Sequence, residues 1–239
     1  MRTLDVVLYV DETESVSERA AGKTVVVVDI LRASTTIAVA LANGAEGIVP
    51  VLTPEEARDR RTGRLAHALL GGEREGVRLD GFDLGNSPLE YTPERVRGKT
   101  ILFTTTNGTR AIRAAATAER LFVGAFVNLD AVGAALEGDD LDVLIVCAGT
   151  ERRFTLEDAL FAGACVARLR DRFGERSDAA IAAEALWTRF RDDLPGALAS
   201  CRHGGRLVRK GFADDVVFCA TVGTADVLPR YADGSIRLA

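Results

Sequence analysis

The chain has 239 residues, 47% of them hydrophobic and 27% charged, with a mean hydropathy of +0.09. This composition excludes a disordered or collagen-like chain, and the length suffices to bury a core without disulfides or a structural metal. Thirty Lys+Arg against thirty-five Asp+Glu give a net charge of −5, and without a basic block to track a phosphate backbone, nucleic acid is not an expected partner.

At the start of the chain the apolar run is broken by Asp11 and Glu12, too early for a signal peptide, and no later stretch reaches the ~18 apolar residues of a membrane span. Cys147, Cys165, Cys201 and Cys219 form no CxxC pair. A reduced, cytoplasmic protein without a membrane partner is therefore expected. Only Lys23, Lys99 and Lys210 among the thirty basic residues are lysines. Genome base composition accounts for that bias as readily as function does, although arginine is the better bidentate partner for carboxylate and phosphate.

Val25 to Val28 is a continuous β-branched run ending at Asp29, the pattern of a strand covered on both faces. A helix is predicted from Ser34 to Ala42, stopped by Asn43-Gly44. The next strand is predicted over Gly47 to Leu52, before a helix opened by Thr53 at the N-cap and Pro54 at the first position. Gly71 to Pro93 is rich in glycine, charge and turn residues without a clear period. A stretch of that length inside a compact domain is more often functional than idle. The alternation resumes with a strand at Lys99 to Thr104, a helix from Thr109 to Ala118, a strand at Leu121 to Val123, a helix at Asp130 to Glu137 and a strand at Leu141 to Val146. Helical sequence follows from Leu156 to Arg172 and Asp178 to Phe190. The reading is an α/β protein with a mainly parallel sheet and crossover helices in residues 1–148. A helix-rich C-terminal subdomain, 149–239, is packed on the sheet with no clean linker.

Four polar clusters fall at strand-to-helix junctions, where α/β proteins build their sites. They are Asp29-Ile-Leu-Arg32-Ala-Ser34-Thr35-Thr36; Gly71-Gly72-Glu73-Arg74 with Gly81 to Pro88; Thr104 to Arg110; and Cys147-Ala-Gly149-Thr150 with Phe154 to Asp158. Each has a plain structural alternative. Ser34 or Thr35 caps a helix, Thr104 to Thr106 ends a strand before an Asn107-Gly108 turn, and Glu157 and Asp158 complement a helix dipole. Their coincidence at such junctions raises the joint case for an active site.

Hydroxyls and backbone N–H groups at a helix start form an anion cradle, to which Arg32, Arg74 and Arg110 would add charge-assisted bonds. Asp29, Asp83, Glu157 and Asp158 supply the hard oxygens that Mg²⁺ prefers. Anion donors beside carboxylates point to phosphoryl chemistry. The Walker A glycine is replaced by Ser17 before Gly22-Lys23-Thr24 and by Pro93 before Gly98-Lys99-Thr100, and with only His67 and His203 a histidine-rich metal site is excluded. Both histidines have structural readings, His67 in a helix or at its end and His203 in a glycine-flanked loop. Cys147 and Arg153 have the Cys-x5-Arg spacing of a cysteine phosphatase, but Val146 stands where that pattern has histidine.

The motifs Val-Val-Asp29-Ile-Leu-Arg32-Ala-Ser-Thr35-Thr36, Gly72-Glu73-Arg74, Gly81-Phe-Asp83-Leu-Gly85-Asn86-Ser87-Pro88-Leu-Glu90, Thr105-Thr106-Asn107-Gly108-Thr109, Cys147-Ala-Gly149-Thr150, Glu157-Asp158 and Asp214-Asp215 closely resemble the 2-phosphosulfolactate phosphatase family over nearly the whole chain. The resemblance implies Mg²⁺-dependent hydrolysis of 2-phospho-3-sulfolactate to 3-sulfolactate and phosphate, a step of coenzyme M synthesis, on an α/β fold peculiar to the family. At Arg152-Arg153 the chain departs from the expected glycine-containing pair.

On this basis Asp29 and Arg32 are the expected catalytic residues. Asp29 with one or more of Asp83, Glu157 and Asp158 would hold Mg²⁺. Arg32 and Thr105, Thr106, Asn107, Gly108 and Thr109 would bind phosphoryl oxygens, and Arg74 or Arg110 the carboxylate or sulfonate, with Asn86 also a substrate-binding candidate. The expected partner is a small anionic phosphoester, and a homodimer is left open. The alternatives are a phosphatase for another small acidic phosphoester and a catalytically inactive anion-binding homologue.

Overall fold

The computed structural model describes residues 2–10 and 15–239; the acids Asp11 and Glu12 weighed above lie outside the described residues. In chain order the elements are β1 (Thr3–Val7), α1 (Val16–Ala20), β2 (Thr24–Val28), α2 (Ala33–Ala42), β3 (Gly47–Pro50), α3 (Pro54–Arg60), β4 (Leu69–Arg74), β5 (Val77–Arg78), α4 (Pro93–Val96), β6 (Thr100–Thr104), α5 (Gly108–Ala114) and β7 (Arg120–Gly124). They continue with α6 (Leu129–Glu137), β8 (Val143–Cys147), α7 (Leu156–Leu169), β9 (Glu175–Arg176), α8 (Asp178–Phe190), α9 (Leu194–Ser200), α10 (Arg202–Arg209), α11 (Ala213–Cys219), β10 (Pro229–Ala232) and β11 (Ser235–Leu238).

The strands form one mixed sheet in the order β5-β4-β6-β3-β11-β10-β7-β2-β8-β1-β9. Two parallel blocks, β4-β6-β3 and β7-β2-β8-β1-β9, are joined by the antiparallel hairpin β10–β11. The β-branched run in β2 is buried on both faces as its composition requires. Val26 and Val28 enter one core with Ile145, Leu160, Phe161 and Phe126, while Val25 and Val27 enter the other with Ile37, Leu41, Phe103 and Ile112. Helices α7 to α11 cover the first face, and the last hairpin returns to the middle of the sheet, so residues 149–239 contribute to both layers.

Local signals place several boundaries. Thr53 Oγ1 accepts the Glu56 N–H at the start of α3, whose first residue is Pro54. Asn43 and Gly44, the latter at φ 89°, end α2. The segment without a period, 71–93, holds most of β4, all of β5 and a 3₁₀ turn at Pro88–Glu90. Gly72, at φ 142°, lets β4 lie against β6 where a Cβ would stand 2.0 Å from the Thr104 carbonyl oxygen.

In a flat sheet the ends of β2 and β6, five strand spacings apart, would be separated by about 24 Å. The four residues from Thr104 to Gly108 reach about 14 Å at most. A Cβ on Gly108 would nevertheless lie 2.7 Å from Asp29 Oδ2. The sheet therefore coils until its two parallel blocks lean together over α2 and α5, and the loops after β2, β4, β6 and β8 converge.

Candidate active site

Asp29 follows the last residue of β2, and its position is set by the first turn of α2. Its N–H donates to Ser34 Oγ at 2.8 Å, its carbonyl accepts the Ser34 N–H at 2.9 Å, and its carboxylate accepts the Ala33 N–H. Thr35 Oγ1 donates to Ile30 O at 2.9 Å and Thr36 Oγ1 to Asn86 O at 2.9 Å. The three hydroxyls thus hold the loop in shape rather than face a ligand. Burial lifts the Asp29 carboxyl well above the usual carboxylate range, and the charges of Asp158, Glu73 and Glu157 add to the shift.

Arg32 ends the same loop after a cis Leu31–Arg32 peptide bond. It is almost fully buried and spans to two distant segments. Nη1 donates to Asp215 Oδ2 at 2.5 Å, Nη2 donates to Gly76 O at 2.7 Å, and the guanidinium carbon stands 4.2 Å from the Phe212 ring centroid.

Glu73, at the end of β4, accepts the Thr106 N–H and hydroxyl on Oε1 at 2.9 and 3.0 Å, and the Gly76 N–H on Oε2 at 2.6 Å. Thr105 and Thr109 lock the loop before α5: Thr109 donates its N–H to Thr105 Oγ1 at 3.2 Å and its hydroxyl to Thr105 O at 2.9 Å. Both threonines are buried, which leaves Thr106 and Asn107 as the loop's cavity-lining residues.

These loops surround a cavity of about 630 Å³. Asp29, Arg32, Glu73, Arg74, Asn86, Thr106 and Asn107 line it from the sheet side, and His203, Arg206, Leu207 and Lys210 line it from α10 and its C-cap. Arg206 donates to Glu151 Oε1 at 2.6 Å, and Lys210 Nζ donates to Glu75 O. A side cavity of about 190 Å³ adjoins through Thr150, Glu151, His203 and Arg206, and contains Phe154, Glu157 and Cys201.

The expected site residues separate in this geometry. Asp29, Arg32, Arg74, Asn86, Thr106 and Asn107 share the main cavity, and Gly108 lies against Asp29. Arg74 is spent on Glu73 O, Leu52 O and Thr104 Oγ1 at 2.7, 3.0 and 3.0 Å. Arg110 is exposed on α5 and lines neither cavity, because Ala111 and Ile112 occupy the buried face of that helix.

Of the four expected metal ligands, only Asp29 lines the main cavity. Glu157 lines the side cavity. Asp158 accepts the Ile30 N–H on Oδ1 at 2.9 Å, and the Gly149 N–H and Thr155 hydroxyl on Oδ2 at 3.1 and 3.0 Å, so it clamps the ends of β2 and β8 to α7. Asp83 accepts the Leu70 N–H at 2.8 Å, sits 3.8 Å from Arg61, and lines neither cavity. Among the described residues no three His, Cys, Asp or Glu side chains are grouped to hold a metal ion. The two main-cavity carboxylates of the sheet side, Asp29 and Glu73, still fit Mg²⁺, which takes one or two carboxylates and completes its shell with water and substrate oxygens. The charges of Asp158, Glu73 and Glu157, which add to the effect of burial on Asp29, make a field that a cation would relieve.

Burial and the neighbouring Asp158 charge push the Glu157 carboxyl up to about 7, and burial pushes Asp158 up to about 6. Cys147 is fully buried within β8 and its thiol is raised well above the ordinary range by burial, while Arg153 is exposed. A thiolate cradled by a Cys-x5-Arg loop is therefore not formed here.

Sequence reasoning missed Glu73 as a cavity-lining acid, Asp215 as the partner of Arg32, and the α10 face. His203 lies in the first turn of α10 rather than in a loop. Its Nε2–H donates to Leu31 O at 2.8 Å, which leaves Nδ1 buried without a partner among the described residues, as is Asn86 Oδ1. The spacing of Arg202, Arg206 and Lys210 by four was the available signal for one basic helix face.

A family model described as 2-phosphosulpholactate phosphatase matches residues 10–234. Proteins named probable 2-phosphosulfolactate phosphatase align along most of the chain. The one from Symbiobacterium thermophilum is 48% identical over 225 residues, 93% of this chain and 97% of the relative. The one from Thermotoga maritima is 42% identical, covering 89% and 90%, and that from Clostridium acetobutylicum 37% identical, covering 98% and 99%. A match of this extent, on a chain whose motif residues Asp29, Arg32, Asn86, Thr106 and Asn107 line one cavity, makes this protein a member of the 2-phosphosulpholactate phosphatase family.

Proposed function

We propose that the protein hydrolyses 2-phospho-3-sulfolactate to 3-sulfolactate and phosphate with Mg²⁺, the step of coenzyme M synthesis that the resemblance implies. The observation that carries this reading is the division of one cavity into an acidic wall, Asp29 and Glu73 beside Arg32, and a basic wall formed by Arg206 and Lys210. A substrate bearing phosphate, carboxylate and sulfonate needs both. The acids suit a cation shared with the phosphoryl group, and the basic wall suits the remaining anions. A protein of net charge −5 can bind such a substrate because the positive potential is concentrated locally.

Asp29 and Glu73 would hold Mg²⁺, which when bound supplies Lewis-acid polarisation of the phosphoryl group. Arg32 takes a non-bridging phosphoryl oxygen, and Thr106 and Asn107 bound the other side of that position. Arg206 and Lys210 take over from Arg110, which is remote, as cations for the carboxylate and sulfonate, with their present partners Glu151 and the Glu75 carbonyl as competitors for them. The P–O bond to the sulfolactate carbon skeleton breaks, water supplies the oxygen of the released phosphate, and a proton passes to the sulfolactate oxygen. Water attacks directly or after transfer of the phosphoryl group to Asp29, and rapid-quench trapping of a hydroxylamine-sensitive phosphoenzyme separates the two routes.

Phosphate release from 2-phospho-3-sulfolactate and a panel of small acidic phosphoesters, with and without Mg²⁺, tests the reading. Preferential turnover of phosphosulfolactate is expected. Higher kcat/KM for another ester would replace the substrate, and binding without turnover of any ester would replace the enzyme with an anion-binding protein.

A further inference from the structure

We propose that Asp215 is a positioning residue for phosphoryl transfer, aiming the Arg32 guanidinium at the phosphoryl oxygens from 183 residues away in the chain. The inference rests on the reading of Arg32 as a phosphoryl ligand and adds what orients it.

Arg32 and Asp215 are both buried, with side chains 2% and 5% exposed. A buried ion pair is a poor source of stability compared with apolar side chains of the same volume, because both charges lose their hydration. Burial alone therefore does not explain the pair. Its geometry does more than neutralise charge. One hydrogen bond runs from Nη1 to Asp215 Oδ2 and a second from Nη2 to Gly76 O, while the guanidinium carbon lies 4.2 Å over the Phe212 ring centroid. Two hydrogen bonds from different Nη atoms and one aromatic contact hold the group from three sides and restrict both its tilt and its rotation.

The aiming residue is itself held. Asp215 Oδ1 accepts the Ser87 hydroxyl at 2.7 Å, so that neither carboxylate oxygen is free to turn. Ser87 follows Asn86, and Gly76 follows the Glu73-Arg74 strand end, both lining segments of the cavity. Arg32 is thus referenced at once to β4, to the 86–87 loop and to α11, while a guanidinium with five N–H donors keeps others for the cavity that it lines. The helical layer after β8 is in this way part of the site: α11 sets the direction of a cation carried by the loop after β2.

The test is a double-mutant cycle of Arg32→Ala and Asp215→Asn, read by steady-state kinetics on phosphosulfolactate and by calorimetric binding of inorganic phosphate, with circular dichroism to establish folding. Asp215→Asn keeps the shape and the Ser87 contact but removes the charge that orients Arg32. It is expected to lower kcat about tenfold or more, with KM within about threefold, because misalignment of a transition-state donor is felt mainly in the chemical step. Phosphate affinity, a ground-state reading like KM, is expected to fall by up to about threefold. The double variant should be no worse than Arg32→Ala alone, since Asp215 acts only through Arg32.

Multiplicative losses in the cycle, or unchanged kcat and phosphate affinity in folded Asp215→Asn, would overturn the proposal. If Asp215→Asn does not fold, Phe212→Leu replaces it in the cycle, with the same non-additivity expected and with additivity again fatal. If the wild type cleaves no phosphosulfolactate, the substrate reading falls separately. Phosphate binding then decides the positioning role: weakened binding in the variant supports it, and equal binding or none in the wild type rejects it.

Discussion

Gly108 lies so close to Asp29 that a Cβ added to the glycine would stand 2.7 Å from Asp29 Oδ2 and 2.7 Å from the Ala33 Cβ. Neither neighbour can withdraw cheaply. Ala33 opens α2, and Asp29 is tied to that helix by the Ser34 and Ala33 N–H groups. Gly108→Ala should therefore push the Thr105-to-Thr109 loop away from Asp29 and widen the gap proposed to seat the phosphoryl group. The expected result is a folded protein with kcat lowered roughly 10- to 100-fold, since a displacement near 1 Å between reacting groups costs that much. Stopped-flow or steady-state phosphate release, with circular dichroism on the same sample, checks it.

What the sequence disclosed follows from how local each signal is. The Val25–Val28 run, the Asn43-Gly44 stop and the Thr53-Pro54 cap concern neighbours within a few residues, and each lies where it was read. The β10–β11 hairpin escaped notice because Pro229–Ala232 and Ser235–Leu238 are short and partly exposed, and nothing local says that they enter the middle of the sheet. β4 was obscured by Gly71-Gly72, which break an apolar pattern for a reason visible only when β6 is laid beside it. In the site, Asp29 and the Thr106-Asn107 pair were legible as polar residues at strand ends. The partnership of Arg32 with Asp215 is purely tertiary, and Asp83, which shares the chemistry of a metal ligand, lies outside both cavities beside the Leu70 N–H.

The buried acids give stability a defined pH dependence. Glu157 is raised from 4.5 to about 7 in the folded protein, so the fold binds its proton more tightly than the unfolded chain does. The stabilising contribution is fully present below the unfolded value and is lost as pH rises through the folded one. Between about pH 4.5 and 7 the loss amounts to about 3 kcal/mol for this carboxyl. Glu157→Gln, which cannot ionise, should therefore gain stability relative to the wild type as pH rises across that window. Urea unfolding of both proteins at pH 5 and pH 8 in metal-free buffer measures it. A difference between the two proteins that stays constant with pH would remove Glu157 as the cause.

The basic wall makes a prediction about selectivity. Arg206 and Lys210 line the cavity from α10 and its C-cap, across from the acids proposed to act at the phosphoryl group, and both are at least partly exposed, so their removal should leave the fold intact. Arg206→Gln with Lys210→Gln is expected to raise KM for phosphosulfolactate about tenfold or more while changing kcat little, the pattern for lost uniform binding of a charged group. A phosphoester without a second anion should show a much smaller change. Equal effects on both esters would assign these cations to the phosphoryl group instead, and with it would exchange the two walls of the cavity.

Asp29 and the metal are best tested together, because each explains the other. Burial raises the Asp29 carboxyl well above its ordinary range, and the charges of Asp158, Glu73 and Glu157 add to the shift. A divalent cation at Asp29 and Glu73 would favour their ionised forms and so bring the Asp29 carboxyl down. Chelation followed by dialysis should abolish phosphate release, and added Mg²⁺ should restore it. Asp29→Asn should remain folded, because the amide oxygen can still accept the Ala33 N–H and the substitution removes a repelled charge. It should be slightly more stable than the wild type without metal, yet turn over at least about 10³-fold more slowly if the carboxylate bears on the phosphoryl group directly. Mg²⁺ should raise the melting temperature of the wild type and leave that of Asp29→Asn nearly unchanged. Full activity after rigorous metal removal, or an equal Mg²⁺ shift in both proteins, would detach the metal from Asp29 and leave the carboxylate to act alone.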